Sequence, residues 1–248
     1  MNMLNNERLA RIAGVGFMQE VVKPGVLVYI RTHKVRDQLH ALSHCGPCTL
    51  ITSYSDACVT DELASLLPDN VLDWYSNNVM TDNPIVHDVP IGFVYNVERE
   101  KALQSVMQRG PQPRRNLMYT CFTRANGRVG MYEMFGGYDW NTVKGGTAFD
   151  SIVPEEFYTD ILHHDYVLSP EGAGPDCHRH WEALILGSIP IVKRSRAVKL
   201  LEDQPALLVD DWDEVTEERL LAELPMLKQR TFNTDLVDVE YWRGVICR

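Results

Sequence analysis

The sequence is most restrictive in what it lacks. Its 248 residues contain no run approaching the ~20 apolar residues of a membrane span. The first 25 residues carry Glu7, Arg8, Arg11 and Glu20 and have no apolar core of the kind that marks a secretory signal. Positive charge is in deficit: 24 Lys and Arg stand against 34 Asp and Glu, for a net charge of −10. That balance argues against a nucleic acid or an acidic membrane as partner, while leaving room for a local basic site. There is no internal repeat and no low-complexity stretch. Of the six cysteines, Cys58, Cys121, Cys177 and Cys247 are scattered, so the second closely spaced pair of a structural zinc site is missing. Only Cys45-Gly46-Pro47-Cys48 spells a short motif, the C-x-x-C of thiol redox proteins. In those proteins the motif follows a strand and opens a helix. Here it follows a helical stretch and precedes a strand, so Gly46-Pro47 reads as a turn between the two.

What remains is an ordinary globular composition, 45% apolar and 23% charged. Short apolar runs alternate with amphipathic stretches. A short N-terminal helix is expected within Leu4 to Met18, strands over Val26 to Ile30, Thr49 to Ser53 and Val71 to Tyr75, and helices over Val35 to Ser43 and Asp61 to Leu67. Val89 to Gly92 leads into a crossover, and a helix follows over Val97 to Gln108. Gly110 to Pro113 is the clearest linker in the chain. A second series comprises a strand over Asn116 to Phe122, an irregular Gly- and aromatic-rich stretch over Phe135 to Phe149, a helix over Pro154 to His163 and strands at Tyr166 to Leu168, Ile189 to Val192 and Ala206 to Val209. Asp213 and Glu214 suit the start of a helix that runs to Leu224 and is broken by Pro225. The alternation implies α/β architecture with parallel sheets and ligands at the carboxyl ends of the strands.

The densest signal is Tyr166 to Val192, which reads as strand, glycine-rich turn, helix, turn, strand. Gly172 and Gly174 permit a tight turn or positive φ. Pro175 and Asp176 suit the first positions of a helix that Gly187 terminates. A helix N-terminus after such a turn offers backbone N–H groups and the positive end of the dipole to a phosphate. Arg179 can add charge-assisted hydrogen bonds. Glu182 lies roughly 9 Å along the axis from Asp176, at about 1.5 Å per residue, where it can accept the hydroxyls of an attached ribose. The same pair also reads as a surface i,i+3 interaction worth a few tenths of a kcal/mol.

The segment LSPEGAGPDCHRHWEALILGSIPIVKRS, with QPALLVDDWDEVTEERL after it, resembles the donor-binding half of exostosin-like glycosyltransferases. TSYSD (Thr52 to Asp56), WYSNN (Trp74 to Asn78), VPIGF (Val89 to Phe93) and NLMYTCFTRANGR (Asn116 to Arg128) are similar to blocks that occur in the same order in compact, unanchored members. The resemblance implies two Rossmann-like halves of GT-B type facing a central cleft. The first half, residues 1–96 with 226–248 packing back on it, would bind the acceptor; residues 97–225 would bind a nucleotide sugar. It implies a metal-independent, inverting transfer from a UDP-sugar, with UDP-xylose the first donor to try, to a glycan hydroxyl. No cofactor and no metal is expected. Many relatives carry a membrane anchor. This sequence shows none, which points to the cytosol or to an anchor removed.

Donor contacts are then expected from Arg124, Arg128, Ser169, Gly172, Gly174, Asp176, Arg179 and Glu182. The polar segments Arg31 to His33, Ser53 to Asp56 and Ser76 to Asn78 follow the first three strands and face the acceptor. Asp56 is the first choice for the base that takes the acceptor proton, and His33, with the better intrinsic pKa, is the second. His163-His164 is a poor metal pair, because adjacent helical residues point about 100° apart. Asp210, Asp211 and Asp213 read as helix capping, with a divalent-cation site the less favoured alternative. Two other functions stay open: a nucleotide-sugar-binding protein without transferase activity, and a thiol redox protein using Cys45 and Cys48.

Overall fold

A computed structural model of the chain describes residues 3–13, 21–22, 27–94, 96–125, 128–145 and 153–247. In chain order the first part comprises α1 (Asn6–Ile12), β1 (Val21–Val22), β2 (Leu27–Arg31), α2 (Val35–Ser43), β3 (Cys48–Ser53), β4 (Val59–Thr60), α3 (Asp61–Ser65), β5 (Val71–Ser76), β6 (Val79–Met80) and β7 (Val86–Asp88). The main sheet has the order β1-β2-β3-β5-β7, and all its pairings are parallel except that of β1 with β2. β4 and β6 form a separate parallel pair.

Because β2, β3, β5 and β7 are laid down in sequential order, right-handed crossovers place α2 and α3 on one face. Strand alternation divides the side chains accordingly. Val28, Ile30, Leu50 and Trp74 pack with Val35 and Leu42 of α2 and Ala64 of α3. Tyr29 and Ile51 point the other way, against Leu9 of α1.

The second part comprises α4 (Val97–Met107), β8 (Asn116–Thr120), α5 (Val129–Phe135), β9 (Asn141–Val143), α6 (Pro154–Leu162), β10 (His164–Leu168), α7 (His178–Ile185), β11 (Ile189–Lys193), β12 (Leu207–Val209) and α8 (Glu217–Leu227). Its sheet is wholly parallel, in the order β12-β11-β10-β8-β9. Chain order therefore reverses at β8, between β9 on one side and β10 on the other, as in a doubly wound sheet. Met118, Tyr166, Leu168 and Ile191 face Tyr132, Phe135, Leu220 and Leu227 of α5 and α8. Tyr119 and Val167 face Leu103, Tyr158, Ile161 and Ala183 of α4, α6 and α7.

The protein is thus α/β, with two Rossmann-like units, but their cores are joined. Trp181 and Leu184 of α7 and Val192 of β11 share one apolar cluster with Tyr29 and Ile51 of the first sheet. The C-terminal helix α9 (Val239–Ile246) adds Val239, Trp242 and Ile246 to that cluster, beside Leu4 and Leu9. Arg196 reaches across from the second unit to Asp82 and Asp88, both at 2.7 Å. Among the described residues no helix is long and apolar enough to cross a membrane.

Several expectations need correction. The N-terminal helix ends at Ile12, and residues 14–18 of its expected span lie outside the described residues. The stretch Phe135 to Phe149, expected to be irregular, contains the edge strand β9, and the loop expected after Phe122 runs into α5; residues 126–127 and 146–149 lie outside the described residues. Asp213 and Glu214 do not open α8. They belong to a 3₁₀ turn capped by Asp211, with Glu214 accepting from the Asp210 and Asp211 N–H groups, so the acidic run is used in capping. α8 starts after Thr216, whose side chain caps it, and continues past Pro225 to Leu227. The proline is tolerated there because the N–H it lacks would have reached back to Leu221 on the exposed face of the helix, while buried Leu227 anchors the last turn. His163 and His164 diverge as expected: one meets the Pro113 carbonyl, the other is buried against the Asp160 carbonyl and Thr142.

Candidate functional site

A pocket of about 210 Å³ opens at the carboxyl ends of β8 and β10, where the second sheet reverses its order. Open α/β sheets leave a crevice at this point because the connections on either side depart to opposite faces. One wall follows β8 and carries Cys121, Phe122, Thr123 and Arg128. The other is the turn Gly172 to Gly174 and the first turn of α7. Asp56 closes the rim from the loop after β3, Ile91 and Val94 come from the crossover between units, and Arg99 comes from α4.

The electrostatics of this pocket are one-sided. Arg128 is 9% exposed; its Nε donates to the Ala125 carbonyl and its Nη2 to Thr123 Oγ1, both at 3.0 Å. Arg179 donates to the Pro170 carbonyl at 3.3 Å and lies 3.8 Å from Cys177 Sγ. The two guanidinium carbons sit 5.8 and 5.1 Å from the centre of the Phe122 ring. Neither cation has a carboxylate within ion-pair distance among the described residues, although the chain forms many such pairs elsewhere. Burial, and then the neighbouring Arg179 charge, pull the Arg128 pKa below its usual value. Two partly desolvated like charges, with N–H donors that find no partner among the described residues, form a site that an anion would stabilise.

One turn along α7 lies Glu182, 3% exposed and on the pocket wall. Its Oε1 accepts from Tyr158 Oη at 2.9 Å, and Tyr158 in turn bonds with Arg99. Burial and the Glu182 charge keep the phenol protonated. The carboxylate is therefore held in place by a rigid, buried chain of donors.

The remaining expected donor residues are used differently. Helix α7 starts at His178, with Cys177 as its N-cap, rather than at Pro175. Asp176 precedes the cap because both its oxygens are engaged: Oδ2 accepts from the Ile91 N–H at 2.7 Å and Oδ1 from Trp181 Nε1 at 2.8 Å. Its own N–H donates to Asn78 Oδ1 at 2.9 Å. Asp176 pins the glycine turn to the first unit, and burial pushes its pKa up to about 7. Neither Gly172 nor Gly174 has positive φ. Gly174 is needed for another reason: a Cβ there would lie 2.7 Å from Asn78 Nδ2. Ser169 is fully buried behind the pocket wall, 2.7 Å from His180 Nδ1. The other ring nitrogen of His180 faces the Pro175 carbonyl, which can only accept, so Nε2 carries the proton and Ser169 donates to Nδ1. Burial pushes the His180 pKa down to about 3, so this pair stays neutral. Arg124 is exposed, 4.5 Å over the Tyr132 ring, and does not line the pocket.

Of the two expected bases, Asp56 lines the pocket from an exposed position. His33 does not; its Nδ1 is 3.1 Å from Ser55 Oγ. His178, Arg99 and Tyr158 are not among the residues expected from the sequence, and all three contribute here. His178 sits beside Arg179 in the motif that drew attention, and its position in the first turn of α7 was the available signal. The C-x-x-C cysteines lie elsewhere, after α2: Cys45 donates to the Ala41 carbonyl, and burial raises the Cys48 pKa, so Cys48 is not an activated thiolate. Among the described residues no three His, Cys, Asp or Glu side chains gather as a metal site.

Fold and site together define the class: a doubly wound α/β protein with an anion-ready pocket at the switch point of its second sheet. The chain matches no protein-family model and no curated protein.

Proposed function

We propose that the chain is an inverting glycosyltransferase of the exostosin-like kind, moving a sugar from a UDP-sugar to a glycan hydroxyl. The observation that carries this reading is the pair Arg128 and Arg179, two guanidinium groups at the switch point without a carboxylate partner among the described residues. In the reading, they and the first N–H groups of α7 hold the diphosphate. Glu182, fixed by Tyr158, accepts the ribose hydroxyls. The acceptor approaches from the Asp56 rim. Negative charge builds on the departing diphosphate in an oxocarbenium-like transition state, where preorganised cations act most strongly. The guanidinium groups fill the electrostatic role that a divalent ion would otherwise take.

The test is a donor panel of UDP-xylose, UDP-glucuronate, UDP-galactose and UDP-N-acetylhexosamines with mixed glycan acceptors, with and without chelator. The reading expects acceptor-dependent UDP release from one donor, insensitive to chelator, with inversion at the anomeric carbon. Binding of a donor without release would favour a nucleotide-sugar-binding protein. Absence of binding by every donor would overturn the assignment.

A further inference from the structure

We propose that His178, which lines the pocket together with Asp56, takes the proton from the acceptor hydroxyl. This rests on the transferase reading above and adds to it the identity of the base.

The argument starts from the imidazole's two nitrogens. His178 is the first residue of α7 and lines the pocket. Its Nδ1 lies 2.8 Å from the Gly92 carbonyl. A carbonyl cannot donate, so Nδ1 carries the hydrogen, and in the neutral ring the Nε2 lone pair can accept and has no hydrogen-bond partner among the described residues. Gly92 has φ of +66°, and a Cβ there would stand 2.3 Å from the Leu4 carbonyl oxygen. The acceptor that fixes the tautomer is thus itself held in a conformation that favours glycine. The ring is oriented from the crossover between the two units, independently of any ligand.

The charged groups around the ring come from three elements. Asp56, on the loop after β3, and Glu182, on α7, both favour the protonated imidazole; Arg99, on α4, opposes it. Arg179, the next residue along α7, and Arg128, on the β8 wall, also line the pocket. Burial outweighs these and lowers the His178 pKa, so the ring is neutral and able to accept at pH 7. Asp56 is a weaker choice for the proton itself. It is exposed at the rim, where water competes for the acceptor, and its side chain is not fixed by a hydrogen bond among the described residues as the His178 ring is. Its charge nonetheless favours the imidazolium as it forms.

The step balances as a displacement. The acceptor oxygen forms a bond to the anomeric carbon as the bond from that carbon to the β-phosphate oxygen breaks. The electron pair leaves with the diphosphate, and the hydroxyl proton moves to His178 Nε2, from which water later removes it.

The test uses the full chain, the donor the panel selects, and three variants. His178→Asn keeps an N–H for the Gly92 carbonyl and removes the base; His178→Gln is the second variant should the first fold poorly. Asp56→Asn removes the stabilising charge. The expected result is a kcat fall of about 10²–10⁴ for His178→Asn, with UDP affinity within about twofold of wild type as the proposal's own expectation. Wild-type kcat/KM should be flat above about pH 6.5 and fall at lower pH, as the lowered imidazole pKa requires. Asp56→Asn should keep measurable transfer and move that acid limb to still lower pH. If His178→Asn or His178→Gln transfers within tenfold of wild type, or if Asp56→Asn alone abolishes transfer, the proposal is overturned and the transferase reading stands. If wild type itself transfers from no donor, both fall together.

Discussion

Asp176 makes a stability prediction whose sign can be worked out. The carboxyl is buried between the two units, and burial pushes its pKa up to about 7, against the Ile91, Trp181 and Cys177 hydrogen bonds that favour the charged form. In the unfolded chain the same group titrates near its ordinary value of about 3.9. Between these values the folded state binds the proton and the unfolded state does not, so stability falls as pH rises. The contribution is fully present below about pH 4 and is lost as pH passes through about 7. Three pKa units at 1.36 kcal/mol each give about 4 kcal/mol over that window. Asp176→Asn removes the titration. It also places an NH₂ against one of two N–H groups, the Ile91 amide or the Trp181 indole, at a cost of about 1–3 kcal/mol. Urea unfolding of both proteins at intervals from pH 4 to 8 isolates the group. The wild-type advantage over Asp176→Asn should be largest at the acid end and should shrink, or reverse, by pH 8. An advantage that is constant, or that grows with pH, would show that the three hydrogen bonds outweigh burial and would refute the reasoning.

Two further outcomes follow from packing. In Gly174→Ala the new methyl meets Asn78 at 2.7 Å, which should displace the amide from the Asp176 N–H and lower stability by about 1–3 kcal/mol. Adding Asn78→Ala should then cost less than it does alone, and a double-mutant cycle by thermal unfolding with no coupling would contradict the contact. Pro225→Ala should raise stability by about 1–3 kcal/mol, because α8 continues through the proline and the alanine supplies the N–H that the helix lacks there; an unchanged or lower Tm would count against it.

Much of the fold was written locally. The helix Val35–Ser43 has the bounds its pattern indicates, because its apolar face and the Gly46-Pro47 turn are both short-range signals. The parallel character of the sheets follows from apolar strands buried on both faces. The elements that escaped are short and unpatterned. Val86–Asp88 and Asn141–Val143 are three-residue edge strands that exist only through their neighbours, and α5 has no side-chain cap to announce it. Within the site, the glycine turn, Arg179 and Glu182 were legible from spacing. The contacts that assign jobs were not. Asp176 meets Asn78 across 98 residues, and His178 meets Gly92 across 86. No local pattern encodes which carboxylate is taken up as a pin, or which imidazole is left with a free lone pair.

The central claim is that Arg128 and Arg179 await a diphosphate. Calorimetric titration of UDP, and of uridine as the uncharged control, into wild type, Arg128→Gln and Arg179→Gln tests it most directly. The account predicts UDP binding that weakens with added salt, a loss of at least tenfold in each variant, and little or no binding of uridine. UDP affinity unchanged in both variants, or equal affinity for uridine, would contradict it.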